Sequence, residues 1–131
     1  MTISQDDPCP CGTERLFQHC CQPLLTGAAA PETAEALMRS RYTAFVVGDD
    51  AYLAASWHSA TRPEDPSAPT GIDWRRLRIR DTVAGGPTDQ TGEVEFVAHF
   101  RSAQGTRDFL HERSRFAREA GRWVYVDGEL F

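Results

Sequence analysis

Lysine is absent from this chain: all 14 basic residues are arginine, against 19 acidic residues and a formal net charge of −5. A chain with this charge is not expected to be attracted to phosphate backbones in general, although a local basic patch stays open. No apolar run approaches the ~20 residues that a membrane-spanning helix needs, and MTISQDDP has neither the basic start nor the apolar middle of a signal peptide. We therefore expect a cytoplasmic protein without a membrane segment.

The commonest signatures of catalysis are also missing. The sequence has no glycine-rich phosphate-binding loop, no G-x-S-x-G and no H-E-x-x-H. Its 131 residues are 40% hydrophobic and include three Trp, three Tyr and seven Phe, enough for one domain with a real core and a small appendage. Nothing in these motifs gives a reason to expect an enzyme.

Cysteine is confined to one segment, CPCGTERLFQHCC, which holds all four cysteines of the chain in the spacing C-x-C-x8-C-C: Cys9, Cys11, Cys20 and Cys21. Adjacent Cα atoms lie ~3.8 Å apart, below the usual range for a disulfide, so a bridge between the last two would be strained. Four thiolates ~2.3 Å from a tetrahedral zinc ion need only two short turns brought face to face. We predict one zinc ion, with a redox-active dithiol or inert buried cysteines as the alternatives.

Four protein ligands would leave that zinc no open position for water, so its predicted role is structural and not catalytic. Gly12 can supply the positive φ of a metal-binding turn. Thr13 is predicted to cap one or two helical turns that deliver the second pair of cysteines. His19 is a candidate substitute ligand, which the all-cysteine set does not need.

The same segment resembles the SEC-C motif, the zinc knuckle at the C-terminus of SecA and in several bacterial proteins. The stretches ALMRSRYTAFVVGDDAYLAASWH, LHERSRF and WVYVDG resemble the YchJ-like family of small bacterial proteins. The resemblance implies an α+β fold with a SEC-C zinc knuckle in residues 1–25. Residues 26–131 would form a nuclear transport factor 2-like domain, a cone in which a curved antiparallel sheet packs on helices.

For function, the resemblance implies an adaptor, because the SEC-C knuckle of SecA meets the chaperone SecB. The acidic SQDD beside the knuckle departs from the basic character often seen in such modules. In many relatives of this fold the helices and sheet enclose a pocket for a small molecule, so a binding protein or enzyme using such a pocket is the alternative function. A homodimer is also open, because sheets of this fold often pair through an exposed face.

Residue patterns predict the same architecture. PLLTGAAAPET reads as the linker, and a helix begins near Pro31 or Glu32, with Thr33 as a competing cap, and ends at about Val47. A second helix is predicted over DAYLAASWH, followed by a loop in RPEDPSAPTG. Alternating patterns then predict four antiparallel strands, over residues 74–83, 93–101, 109–118 and 123–126.

The basic stretch WRRLRIR places Arg76, Arg78 and Arg80 on one face of the first strand. On the next strand Glu93 and Glu95 share a face, and pairing the apolar faces would set them against the arginines. We therefore predict a solvated ladder of ion pairs. A nucleic-acid partner is not expected, also because no aromatic residue interleaves these arginines.

Arg41 is predicted to lie on or beside the buried stripe of the first helix, four residues from both Leu37 and Phe45. A buried arginine demands a partner, and Glu112 on an inward strand face is the one available, alone or together with Ser114, Tyr125 or Asp127. On the last strand, alternation places Trp123, Tyr125 and Asp127 on one face. His58 and Glu112 would be the general acid and base if the core holds a ligand. A structural salt bridge is the other interpretation. The candidate residues of this buried polar group or pocket are Arg41, Tyr42, Trp57, His58, Glu112, Ser114, Trp123, Tyr125 and Asp127.

Overall fold

The structure is a computed structural model that describes residues 3–131. A 3-10 turn and three helices come first: Phe17–His19, α1 (Gln22–Leu25), α2 (Ala34–Val47) and α3 (Asp50–Ala55). One antiparallel sheet follows, in the order β1-β2-β3-β4: β1 (Asp73–Ala84), β2 (Thr91–Arg101), β3 (Arg107–Glu119) and β4 (Arg122–Leu130). The predicted α+β class is confirmed. Met1 and Thr2 of the predicted knuckle lie outside the described residues.

Helix α2 joins the helical layer to the sheet. Thr33 caps it, because its hydroxyl oxygen accepts a hydrogen bond from the Ala36 amide at 3.0 Å. The helix ends at Gly48, whose φ of 76° is the left-handed conformation that glycine adopts without strain. Its buried side packs on the inner face of the sheet, and together they form the main core: Ala34, Leu37, Met38, Tyr42, Leu77, Val94, Phe96, Ala98, Phe116 and Trp123.

Two predicted elements have different bounds. Helix α1 occupies the start of the segment predicted as a linker, and α3 ends at Ala55, three residues earlier than predicted. The chain after α3 leaves the helix because it pairs with β4. The Tyr125 amide donates to the Ser56 carbonyl and the His58 amide donates to the Tyr125 carbonyl, both at 2.8 Å. This pairing places Trp57 against Tyr125, with ring centres 5.1 Å apart.

Strand β4 is longer than predicted and contains an irregularity. Phe116 pairs with Tyr125, whereas Arg115 pairs with Asp127, so one residue of β4 is left over between them. Such a bulge reverses the alternation of faces along the strand. Tyr125 therefore faces the core, but Asp127 lies on the outer face of the sheet and not inward with Trp123 and Tyr125 as predicted.

Among the helices of residues 3–131, none combines the length and the apolar character that crossing a membrane requires.

Candidate metal centre

The four cysteines converge on one point beside α2. Their sulfur atoms all lie within 4.8 Å of one another, and Cys11 Sγ and Cys20 Sγ are 3.5 Å apart. Four sulfurs at zinc–thiolate distance on a tetrahedron would be separated by about 3.8 Å, so the set fits a metal ion. All four thiols are free, and three of them are buried. His19 is exposed and is not a member of this group.

The turn that carries the first two cysteines depends on Gly12. Its φ is +88°, and the Leu77 carbonyl oxygen lies 3.6 Å from where a Cβ would stand. Thr13 is not the predicted cap, because the helical turn begins only after Leu16, which makes no side-chain cap bond. The Thr13 hydroxyl lies instead 3.1 Å from Cys20 Sγ. It is therefore placed to stabilise a thiolate and not a helix.

Polar and cationic groups surround the sulfurs. The Thr43 hydroxyl lies 3.8 Å from Cys9 Sγ, and Arg15 Nη2 lies 3.8 Å from Cys20 Sγ. The pKa of the Cys21 thiol is raised, first by hydrogen bonding to Cys11, then by hydrogen bonding to Cys9 and by burial. Four thiols this close cannot all ionise to thiolates without a cation between them. A bound metal ion would remove that conflict, because cysteine binds metals as the thiolate.

The knuckle, residues 3–25, packs directly on the main domain, residues 26–131. Arg39 of α2 donates from Nη1 to the Cys11 carbonyl at 2.6 Å, and its Nε pairs with Glu35 at 2.9 Å. Beside α1 the two parts share a groove of about 520 Å³. Residues from both parts line it, among them Leu24, Leu25, Tyr52, Ala55, Trp123 and Val124. A metal ion bound to the cysteines would therefore also shape this surface.

The predicted ion pair between Arg41 and Glu112 is wrong. Arg41 is buried, with 3% of its surface exposed, but its Nη1 donates to the Leu53 carbonyl at 3.0 Å and to Ser56 Oγ at 2.7 Å. Its guanidinium carbon lies 5.0 Å from the ring centre of Trp57 and 4.8 Å from that of Tyr125. Burial lowers its pKa to about 10. The arginine is satisfied by the end of α3 and by two aromatic faces.

Glu112 has other partners in the same group. Its carboxylate accepts from the Ser114 hydroxyl at 2.5 Å and from the Tyr125 hydroxyl at 3.1 Å. The pKa of Tyr125 is raised, first by burial and then by the charge of Glu112. Tyr125 therefore separates Arg41 from Glu112, touching the guanidinium with its ring and the carboxylate with its hydroxyl. Ser56 was missed at the sequence level, where a serine just after a helix carries no distinctive signal.

The other four candidates lie apart from this group. Tyr42 and Trp123 are core residues; the ring of Tyr42 packs edge-on against Trp74, and Trp123 Nε1 donates to the Glu32 carbonyl at 3.1 Å. His58 Nδ1 lies 3.8 Å from Glu119, in the turn after α3. Asp127 pairs with Arg115 at 2.5 Å on the outer face. His58 and Glu112 therefore do not form the predicted acid and base pair.

Comparison with known proteins agrees with this architecture. Residues 33–128 match the family described as "YchJ, middle NTF2-like domain", and residues 7–23 match the SEC-C motif. The chain belongs to the YchJ-like family. A UPF0225 protein of Streptomyces coelicolor is 49% identical over 123 residues, covering 94% of this chain and 95% of the relative. One of Xanthomonas oryzae pv. oryzae is 47% identical over 128 residues, covering 96% and 97%.

Two solved structures share the fold. A SEC-C motif containing protein from Rhodopseudomonas palustris is 33% identical, with a TM-score of 0.84 over 95% of this chain and 99% of that one. A second, from Psychrobacter arcticus, is 27% identical, with a TM-score of 0.77 over 94% of this chain and 82% of that one. The YchJ-like resemblance and the nuclear transport factor 2-like fold are both confirmed.

Proposed function

We propose that this YchJ-like protein is an adaptor, in which one structural zinc ion holds the SEC-C knuckle in place so that a protein partner can dock. Four cysteines would complete the coordination of the ion and leave no position for a substrate. Sulfur-only tetrahedral sites favour zinc over the harder divalent cations. The metal's contribution is therefore structural, and the function belongs to the surface that it holds together.

The observation that carries this proposal is the groove of about 520 Å³ shared by the knuckle and the main domain. Leu24 and Leu25 come from α1 in the knuckle, whereas Trp123 and Val124 come from β4. Glu119 and Arg122 add charged groups to the lining. An apolar cleft with polar groups suits an amphipathic protein segment that inserts one or two apolar side chains.

A pocket in the core is less well supported. Arg41 and Glu112 find their partners within the protein, and neither residue lines the shared groove. We therefore favour protein docking over small-molecule chemistry.

The proposal is tested by site-specific photo-crosslinking in cells. A photoreactive phenylalanine analogue replaces Leu25 in the groove and, in the matched control, Val83, which is exposed on the opposite side of the sheet. We expect a protein crosslinked to position 25 and not to position 83, with purified SecB as the first partner to test in vitro. Metal analysis of the purified chain should return one zinc per molecule.

Two variants distinguish the contribution of the groove to docking from that of the metal. Arg39→Ala should keep the zinc but loosen the knuckle on α2, because it removes the bond to the Cys11 carbonyl, and so should weaken crosslinking at position 25. Arg115→Ala, which removes an arginine on the outer face of the sheet, should leave it unchanged. Crosslinking that survives complete metal removal would contradict the proposal.

A further inference from the structure

The outer face of the sheet, opposite the helices, has two halves of different electrostatic character. In one half the carboxylates are held by arginines of the same face. Arg113 lies 2.8 Å from Asp81, 3.3 Å from Glu93 and 2.8 Å from Glu95. Arg115 binds Asp127 in the same way. The ion pairs in this half are therefore complete without a partner molecule.

The other half is built by strand register from arginines and aromatic rings. Arg76 of β1 pairs with His99 of β2, which pairs with Phe109 of β3. In the next row Arg78 pairs with Val97, which pairs with His111, and the ring of Phe131 packs on His111 with centres 4.6 Å apart. His111 lies at the border of the two halves, because its Nε2 is 2.8 Å from Glu95. Paired residues point to the same face of a sheet. We call this half the arginine–aromatic surface: Arg76, Arg78, His99, Phe109, His111 and Phe131.

The ladder of ion pairs predicted for these arginines is wrong. The register shifts between Ile79 and Asp81, so Glu95 lies opposite Asp81 and not opposite an arginine of β1. Among residues 3–131, no ion pair involves Arg76, Arg78 or Arg80. No aromatic residue interleaves the arginines along β1, but the neighbouring strands place aromatic side chains beside them on the same face. Both local reasons for not expecting a nucleic-acid partner therefore fail in the folded protein.

The aromatic rings of this surface stand in solvent. Phe109 is 57% exposed and Phe131 is 68% exposed, although each has a histidine ring beside it. Phe109 and His111 are two residues apart on one strand, which separates them by roughly 7 Å along the sheet. Exposed rings on a sheet are platforms on which unpaired bases stack.

A cleft of about 400 Å³ at the edge of this surface is strongly cationic. It is lined by Arg75, Arg76, His99, Phe100, Arg101, Arg107 and Asp108. Arg75 pairs with Asp73 at 2.7 Å, and the other three arginines lack an ion pair within residues 3–131. The pKa of His99 is lowered, first by burial and then by the charges of Arg76, Arg78 and Arg80. Four arginines against one lining carboxylate favour a bound anion.

We infer that the arginine–aromatic surface binds single-stranded nucleic acid, with bases stacked on Phe109 and Phe131 and phosphates held by Arg76, Arg78 and the arginines of the cleft. A duplex would not offer its bases to the rings. The outer face of a second copy fits less well, because its carboxylates other than Glu129 are already bound to Arg113 and Arg115. The inference is independent of the zinc knuckle.

Fluorescence anisotropy of short labelled oligo(U) and oligo(dT) at low salt tests the inference and shows whether RNA or DNA is preferred. We expect both to bind more tightly than a duplex of equal length. Phe109→Ala should weaken binding by about fivefold or more, whereas Phe109→Trp should retain it. Arg76→Ala with Arg78→Ala should reduce the slope of log affinity against log salt by about 1.4.

The matched control is Arg62→Ala with Arg115→Ala, which removes the same charge outside the surface and should change neither affinity nor slope. Circular dichroism melting shows that each variant is folded. Equal loss of binding in both double variants, or a duplex bound as tightly as the single strands, would overturn the inference. So would self-association that disappears in Phe109→Ala while the folded wild type binds no oligonucleotide, because the surface would then be a dimer interface.

Discussion

The knuckle and the main domain are held together by different physical means. The buried cluster of the knuckle consists of Cys9, Cys11, Phe17 and Cys21, so three of its four members are prospective metal ligands. The main domain buries a cluster of ten residues between α2 and the sheet, none of them cysteine. A segment this short cannot bury enough apolar surface to fold alone. The knuckle should therefore depend on the metal, and the main domain on packing.

Metal removal should produce the largest difference between the two regions. Zinc knuckles of this size gain about 10 to 16 kcal/mol from the ion, so we expect chelation, or Cys9→Ser with Cys21→Ser, to unfold the knuckle. The main domain should stay folded with a lower melting temperature. Hydrogen exchange by mass spectrometry should show loss of amide protection in residues 3–25 and its retention across β2 and β3.

Tryptophan fluorescence provides a second view, because Trp57, Trp74 and Trp123 all lie in the main domain. Its unfolding transition should remain cooperative in the metal-free protein. A chelator should have no effect on the double serine variant. Full amide protection of the knuckle after metal loss would contradict its dependence on the metal, because packing on α2 would then be sufficient to keep it folded.

A smaller effect distinguishes two residues within the main domain. Arg41→Met should cost about 2 to 4 kcal/mol, because it removes charged hydrogen bonds to the Leu53 carbonyl and Ser56 and contacts with two rings. Glu112→Gln should cost about 1 kcal/mol or less, because the amide oxygen still accepts from Tyr125 and Ser114. Urea unfolding of both variants measures the difference.

The double variant, Arg41→Met with Glu112→Gln, provides the control. Because Arg41 and Glu112 are connected only through Tyr125, their costs should depart from additivity by no more than about 1 kcal/mol. An equal cost for the two single variants, with strong coupling in the double, would restore the direct ion pair that the sequence suggested and the structure does not show.

The cysteine site of the knuckle could be predicted from sequence because its chemistry is local. The spacing of Cys9, Cys11, Cys20 and Cys21 alone indicates a site in which four sulfurs converge, and Gly12 has the expected positive φ. The end of α2 at Val47 is predicted for the same reason, since Gly48 adjoins it in sequence, whereas its start is predicted two or three residues too early, near Pro31 or Glu32, with the true cap Thr33 as the competing choice.

The partners of the sheet could not be predicted because they depend on register. Bulges on β1 and β4 change which residues face each other, and no local pattern marks where a bulge falls. One bulge moved Asp127 to the outer face, and the other set Glu95 against Asp81 instead of an arginine. Arg41 was correctly predicted to be buried, but its partners came from the end of α3, which had been predicted to continue as helix.

The smallest effect concerns acid, and it belongs to the main domain alone. The pKa of Glu95 is lowered, first by a hydrogen bond with His111 and then by Arg113. A lowered pKa means that the carboxylate stabilises the fold fully above the ordinary glutamate pKa and loses this contribution as pH falls through the lowered value. Glu95→Gln should therefore destabilise the domain at neutral pH and make stability fall less steeply on acidification.

Urea midpoints followed by tryptophan fluorescence between neutral and acidic pH give this slope without a contribution from the knuckle, which contains no tryptophan. Glu129→Gln is the matched control, because Glu129 lies on the same face and makes no ion pair within residues 3–131. Its slope should equal that of the wild type. A Glu95→Gln variant with an unchanged or steeper slope would mean that the outer-face pairs are too well solvated to stabilise the sheet, and that packing alone holds the main domain.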